Sequence, residues 1–237
     1  MPRETLTRQQ IVQEAVRLLD AEGLEGLNMR ALGSRLGSAA TAVYWHVGGK
    51  EDLIALAADQ VWHELLLPDL DEHDWRTAAT LLAVDVLAML TRHPWLVQVF
   101  GAQLTFGPGK ARHHDHSLAV FETAGFTGPQ ADQASGALFT FVLGNALPAA
   151  AAASLGRKLR QDGPDGEEAL RQQMDQARQI AAQYPRLRQR LDPPASTASQ
   201  DTETSYTAAP GNTFLFGLRA LLDGLEAQLA MGDRPAG

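Results

Sequence analysis

Wherever large apolar residues recur in this sequence they fall three and four positions apart, and no run of strand length alternates apolar with polar. Such a chain buries stripes on helices rather than faces of sheets, so the fold class expected is all-α. Thr7 and Gln10 have the spacing of a capping box, and Ile11, Val12, Ala15, Val16, Leu18 and Leu19 then form one stripe that ends at Gly23. Asn28 is a good N-cap for a second short helix, with Met29, Leu32 and Leu36 on one side and Gly37 at its end. A third fits Ala40 to His46, stopped by Gly48-Gly49, and a fourth fits Lys50 to Leu67, with Glu51 and Asp52 in its first turn and Pro68 beyond it.

The pattern continues through Leu81, Leu82, Val86, Leu87 and Leu90, restarts near Trp95 after Pro94, and resumes around Leu118 and Phe121 after Gly107-Pro108-Gly109. Pro129 to about Leu155 reads as a long, nearly uncharged helix, expected to be buried on most sides. Arg157 to Glu168 is charged and glycine-rich and is expected to be a mobile loop, followed by an amphipathic helix from about Glu167 to Gln183. Residues 192–211 are rich in Pro, Ser, Thr and Ala and read as a flexible loop before a last helix, Thr213 to Ala230. The expected organisation is a three-helix N-terminal domain at 1–50, a connecting helix at 51–67 and a helical domain at 68–237.

Cysteine is absent, which excludes disulfides, thiolate zinc sites and a cysteine nucleophile. The N-terminus lacks the apolar run of a secretory signal, and no stretch reads as the roughly 20 apolar residues of a membrane span, so a cytoplasmic protein without a membrane partner is expected. The net charge of −8 opposes nucleic-acid binding, but it is unevenly spread. Residues 1–50 hold six of the 20 basic and five of the 28 acidic side chains, and Asn28 to Lys50 contains Arg30, Arg35 and Lys50 with no acid. That is a small local positive face on an otherwise acidic molecule.

Two short helices around Gly37-Ser38-Ala39 have the dimensions of a helix-turn-helix, a hairpin that also occurs in folds unrelated to DNA. The residues narrow the choice. Gly23-Leu24-Glu25-Gly26-Leu27-Asn28-Met29-Arg30-Ala31-Leu32-Gly33, followed by Ala42-Val43-Tyr44-Trp45-His46-Val47-Gly48-Gly49-Lys50-Glu51-Asp52-Leu53, resembles the DNA-binding domain of the tetracycline-repressor (TetR) family. The C-terminal run Phe214-Leu215-Phe216-Gly217-Leu218, continuing to Gly224-Leu225-Glu226 and Gln228-Leu229, is similar to the closing dimer helix of the same subgroup.

The resemblance implies a ligand-responsive transcriptional repressor, not an enzyme, that binds a double-stranded palindromic operator as a homodimer. It places Arg30 on phosphate or a base edge, Ala40, Thr41 and Ala42 at the exposed start of the recognition helix, and Tyr44, Trp45, His46 and Lys50 on phosphates and the groove. Core packing is the other role open to these aromatics. Ala40 to Ala42 lack the polar side chain that the subgroup carries there, so Thr41 and Arg30 are left for direct base readout and the operator should differ from the tetracycline operator.

The resemblance also implies a small-molecule inducer in the C-terminal domain. Tetracycline repressors hold magnesium-tetracycline with a histidine and a carboxylate, whereas the matching places here carry Val99-Phe100-Gly101 and Leu147-Pro148. An apolar or polycyclic organic inducer is expected instead, with Trp62, Leu66, Leu82, Val86, Trp95, Phe100, Phe106, His116, Phe139 and Asn145 as candidate lining residues and with no metal or cofactor. In the cluster His113, His114, Asp115, His116 only His113 and His116 could share an ion, and the expected role is solvent exposure or a pocket entrance. An enzyme using His113, His116 and Glu122 is one rival, without a nucleophile or phosphate loop to complete it, and a DNA-binding activator or architectural factor without a small-molecule ligand is the other. The dimer interface is expected on Leu138, Phe141, Val142, Phe214, Leu218, Leu221, Leu222 and Leu225, where two helices from each copy would form a four-helix contact.

Overall fold

The computed structural model describes residues 6–102, 106–191 and 213–232, and among these it is all-α, with eleven helices and no strand. The segment expected to be flexible, 192–211, lies outside the described residues.

Local sequence explains the first four helices. In α1 (Arg8–Gly26) Thr7 and Gln10 form the reciprocal capping box, and Gly23 (φ 72°) breaks the helix where the apolar stripe ends. Asn28 caps α2 (Met29–Arg35) by accepting from the Ala31 amide at 2.7 Å. A turn through Gly37 (φ 61°) leads to α3 (Ala40–Val47), and α4 (Lys50–Trp62) follows directly. Ile11, Leu18, Leu19, Leu27, Leu32, Val43 and Leu53 are fully buried among these helices.

The connecting helix is shorter than the apolar pattern suggests. It ends at Trp62 in a tight turn, after which the Leu66 amide donates to Asp85 (3.0 Å) and the Leu65 carbonyl accepts from Arg112 (2.8 Å). These distant partners satisfy backbone groups that another helical turn would have used.

Helices α5 (Trp75–Arg92), α6 (Trp95–Ala102), α7 (Pro108–Thr123), α8 (Pro129–Asp162) and α11 (Thr213–Gly232) build the rest of the core. On α11, Leu218 and Leu222 face inward, and Arg76 of α5 holds its outer edge through Asp223 and Glu226. Residues 1–150 with 214–237 form one compact unit, and 151–213 form a second that carries α9 (Pro164–Ala181) and α10 (Pro185–Leu191).

Two further expectations are corrected. The stretch Arg157 to Glu168 is helical except at Gly163 (φ 63°), because Pro164 at the first position and Asp165 and Glu167 in the first turn favour a new helix start. In α8, an 18-residue window is apolar enough to cross a membrane, yet only 22% of it is buried. The sequence reading expected no such window and a helix buried on most sides; the structure has an apolar helix with one face open.

Candidate nucleic-acid interface and ligand cavity

Helix α3 points Val43 and Val47 into the core, which turns Thr41, Tyr44, Trp45 and His46 outward. Trp45 is 89% exposed and Tyr44 49% exposed, whereas Ala40 and Ala42 are half-buried. An indole left almost wholly in water on a helix that is otherwise well anchored is a surface waiting for a partner. Arg30 is exposed at the start of α2. Lys50 instead donates to the Leu24 carbonyl at 3.1 Å, tying the start of α4 to the end of α1. Arg35 is held by Glu14 (3.4 Å) and Glu22 (2.8 Å) of α1, so it braces the motif rather than adding free charge to it.

The turn between α2 and α3 is set by a glycine that the apolar pattern does not single out. A Cβ on Gly33 would lie 2.8 Å from the Ser38 carbonyl oxygen and 3.1 Å from the Ala40 amide. Only a residue without a side chain lets α2 approach α3 this closely.

A cavity of about 280 Å³ opens between α4, α5, α7 and α8. Trp62, Leu82, Val86, Phe106 and Phe139 of the expected lining residues are in its wall. Phe100 stands behind them, with ring contacts to Trp62 (6.2 Å) and Phe139 (5.7 Å). The other four lie elsewhere. Leu66 is 81% exposed, Asn145 donates to the Phe141 carbonyl along α8, His116 lies outside the lining, and Trp95 is fully buried with its indole N–H on Asp20.

The lining also includes Leu138 and Val142, which were expected at the dimer interface, His113 and His114 of the cluster expected in solvent or at a pocket entrance, and polar residues that pattern reading missed: Lys110, Ser117 and Ser135. A signal for them exists, since Lys110, His113, His114 and Ser117 recur at the i, i+3, i+4, i+7 spacing of one face of α7. The Ser117 and Ser135 hydroxyls bond to each other at 2.9 Å. His113 packs against Trp62 with the rings tilted by 51° (centroids 4.9 Å apart), and burial, with lesser contributions from the neighbouring basic groups, pushes its pKa down to about 4.

The cavity is joined to helices α1 to α3 through α4. Asp59 accepts from the Gly109 amide at 2.8 Å and the Lys110 amide at 3.3 Å, and a Cβ on Gly109 would lie 2.6 Å from the Asp59 carbonyl oxygen. Helices α4 and α7 therefore meet backbone to backbone. A second tie runs through His93, whose Nδ1 is 2.7 Å from Asp20 of α1 and whose Nε2 is 3.2 Å from Glu64 just past α4.

Of the residues expected at the dimer interface, Leu218 and Leu222 are buried within the chain itself; Phe141, Phe214, Leu221 and Leu225 are half-buried. Phe141 and Phe214 stack at 5.6 Å where α8 crosses α11. Among the described residues, the large apolar side chains left exposed on these helices are Leu147 and Leu155 of α8 and Leu215 and Phe216 of α11.

Residues 11–57 match the family model described as bacterial regulatory proteins, tetR family, and residues 67–229 match the tetracyclin repressor-like C-terminal domain. The chain is 33% identical to the HTH-type transcriptional repressor DrrR1 of Streptomyces coeruleorubidus over 97% of its own length and 80% of that protein. It is 26% identical to the class E tetracycline repressor protein of Escherichia coli, over 94% and 92% of the two chains. Among solved structures, the TetR family protein ActR of Streptomyces coelicolor in complex with actinorhodin superposes with a TM-score of 0.68 at 25% identity, covering 95% of this chain and 98% of that one.

Proposed function

Because the chain belongs to the tetracycline-repressor family of transcriptional regulators, we propose that it represses its target genes by binding a palindromic operator as a homodimer, and that a small organic inducer entering the cavity releases it. The observation that carries this reading is α3. Its inward valines fix the helix while Thr41, Tyr44, Trp45 and His46 face out, and all of α3 lies within the residues that match the family model. Thr41 and Arg30 supply base readout, the aromatic end grips phosphate, and Ala40 and Ala42 offer small contacts such as a thymine methyl. Lys50 contributes its remaining ammonium protons to phosphate while holding the Leu24 carbonyl.

The open face of α8 supports the dimer. Leu147, Leu215 and Phe216 are costly to leave in water, and a two-fold contact between copies would cover them. The cavity supports an organic inducer rather than a magnesium chelate, since no carboxylate is among its lining residues. An apolar wall with a few polar points is the usual composition of such a site. ActR, in complex with actinorhodin, offers a precedent for a ligand-bound protein of this fold. Coupling passes through α4, where filling the cavity biases the Asp59–Gly109 junction. A differential affinity of about 1–3 kcal/mol between the two arrangements is the usual scale for such linkage. The site of action is operator DNA in the cytoplasm.

A gel-shift titration on the DNA flanking the protein's own gene, with the mass of the complex from light scattering, tests the reading. A dimer bound to one palindromic site at low salt is expected. Failure to bind any flanking duplex, or binding as a monomer, would overturn it.

A further inference from the structure

Lys110 is unusual among the cavity residues. Its ammonium lies 4.9 Å from the centroid of Phe100 and 5.8 Å from that of Phe139, and burial lowers its pKa from the ordinary lysine value. Ring faces attract a cation but do not neutralise it. Asp59, at the same junction, is already engaged by the Gly109 and Lys110 amides and lies 3.6 Å from the His63 ring, and Lys110 forms no ion pair among the described residues. Arg112 is committed to the Leu65 carbonyl. His113, kept neutral by its burial, adds no charge at neutral pH.

A second observation points the same way. Trp62 and His113 are only 1% and 8% exposed, and both line the cavity, yet Trp62 Nε1 and His113 Nε2, like His116 Nε2 outside the lining, have no hydrogen-bond partner among the described residues. Buried polar atoms are rarely left unpaired, and two of these three belong to residues of the cavity wall, where a bound oxygen can supply the missing partner.

Resting on the inducer-binding reading above, we propose that the cavity selects a flat aromatic inducer bearing an anionic oxygen, its ring against Trp62, Phe139 and the Leu82–Val86 wall and its charge on Lys110 Nζ. The indole N–H of Trp62 is the second donor for oxygen on the same molecule, and neutral His113 accepts or donates according to its tautomer. The apolar walls strengthen the ion pair by excluding water, while a neutral analogue of the same shape leaves the ammonium uncompensated.

The test is tryptophan-quenching titration of the full-length protein with anthraquinone-2-carboxylate and with anthraquinone-2-carboxamide. The carboxylate is expected to bind at least about 10-fold more tightly, the scale of a hydrogen bond to a charged group. In Lys110→Met the two affinities converge because the carboxylate loses its advantage, and in Lys110→Arg the preference persists. Equal affinities in the unmodified protein, a preference that survives Lys110→Met, one that disappears in Lys110→Arg, or binding of neither probe would each overturn the proposal. If Lys110→Met does not fold, the unmodified protein and Lys110→Arg decide the matter. A gel shift on the unmodified protein separates the two layers: operator binding with no carboxylate preference removes the ligand class alone, whereas no operator binding removes the regulatory reading.

Discussion

At Gly33 a single missing methyl decides the geometry of the reading head. The atoms that a Cβ would meet, the Ser38 oxygen at 2.8 Å and the Ala40 nitrogen at 3.1 Å, are backbone and cannot rotate away. Gly33→Ala is therefore expected to cost about 1–3 kcal/mol of stability and to shift α3 away from α2. Urea unfolding reads the first effect and a gel shift the second; a variant with unchanged midpoint and operator affinity would show that the turn is not under this constraint. His113 gives a residue-scale pH dependence. Its folded pKa of about 4 lies below the ordinary 6.5, so between those values the unfolded chain binds a proton that the folded chain refuses. Stability should fall as pH drops from 6.5 towards 4, by on the order of 3 kcal/mol from this residue alone. His113→Phe is expected to flatten that slope, measured as unfolding free energy at pH 4.5 and 6.5; an unchanged slope would place the acid sensitivity elsewhere.

Among the elements, α3 separates binding from stability more cleanly than any other. Trp45 is 89% exposed, so Trp45→Ala should change stability by less than about 0.5 kcal/mol. The same change should weaken operator binding by about 10-fold or more, because a large aromatic near the centre of an interface is a common hot spot. Thr41→Ala, by contrast, should alter preference among half-sites, read by competition with permuted duplexes. Equal losses on every duplex would contradict the base-reading role. Helices α1 to α3 were legible because each carries its own caps and glycines within a few residues: Thr7 with Gln10, Asn28, Gly37 and Gly48. The end of α4 was not, since it is set by Asp85 and Arg112, 19 and 47 residues from their backbone partners. The aromatic side of the cavity was legible for the same reason that a core is, and Trp62, Leu82, Val86, Phe106 and Phe139 were found by size and spacing. Its polar side was legible only in part: a histidine of the 113–116 cluster was expected at a pocket entrance if not in solvent, but the informative pattern, one face of α7 running from Lys110 to Ser117, was not read. Leu138 and Val142 were read as interface because apolar spacing on α8 cannot say which of its faces meets the chain's own core.

Over the whole molecule, two polar junctions lie between the helix-turn-helix end and the helices around the cavity, in addition to the packing of α1 on α4: the Asp59–Gly109 junction and the His93 cluster. His93 is 7% exposed and lies between Asp20 and Glu64, with Arg92 also reaching Glu64 at 3.5 Å and the Trp95 indole sharing Asp20. Burial opposes a charge on the imidazole, but the two carboxylates together outweigh it and raise the pKa above 6.5. The tie is thus fully formed below about pH 6.5 and loosens as pH rises through the folded value, the reverse of the trend at His113. Taken by themselves, the contributions of the two histidines are together largest near pH 6.5. His93→Gln should remove the alkaline slope and cost about 1–3 kcal/mol at pH 6, where the charged hydrogen bonds are complete. Asp20→Asn should do much the same, and the double variant should lose less than the sum, since both changes cut one connection. Because that connection runs from α1 to the start of α6, the variants should also change the inducer concentration needed to release the operator, measured by fluorescence anisotropy of labelled DNA at pH 6 and 8.5. Additive losses in the double variant, or a wild-type release curve that does not move between those pH values while His93→Gln behaves identically, would show that the cluster only packs and does not link the two parts.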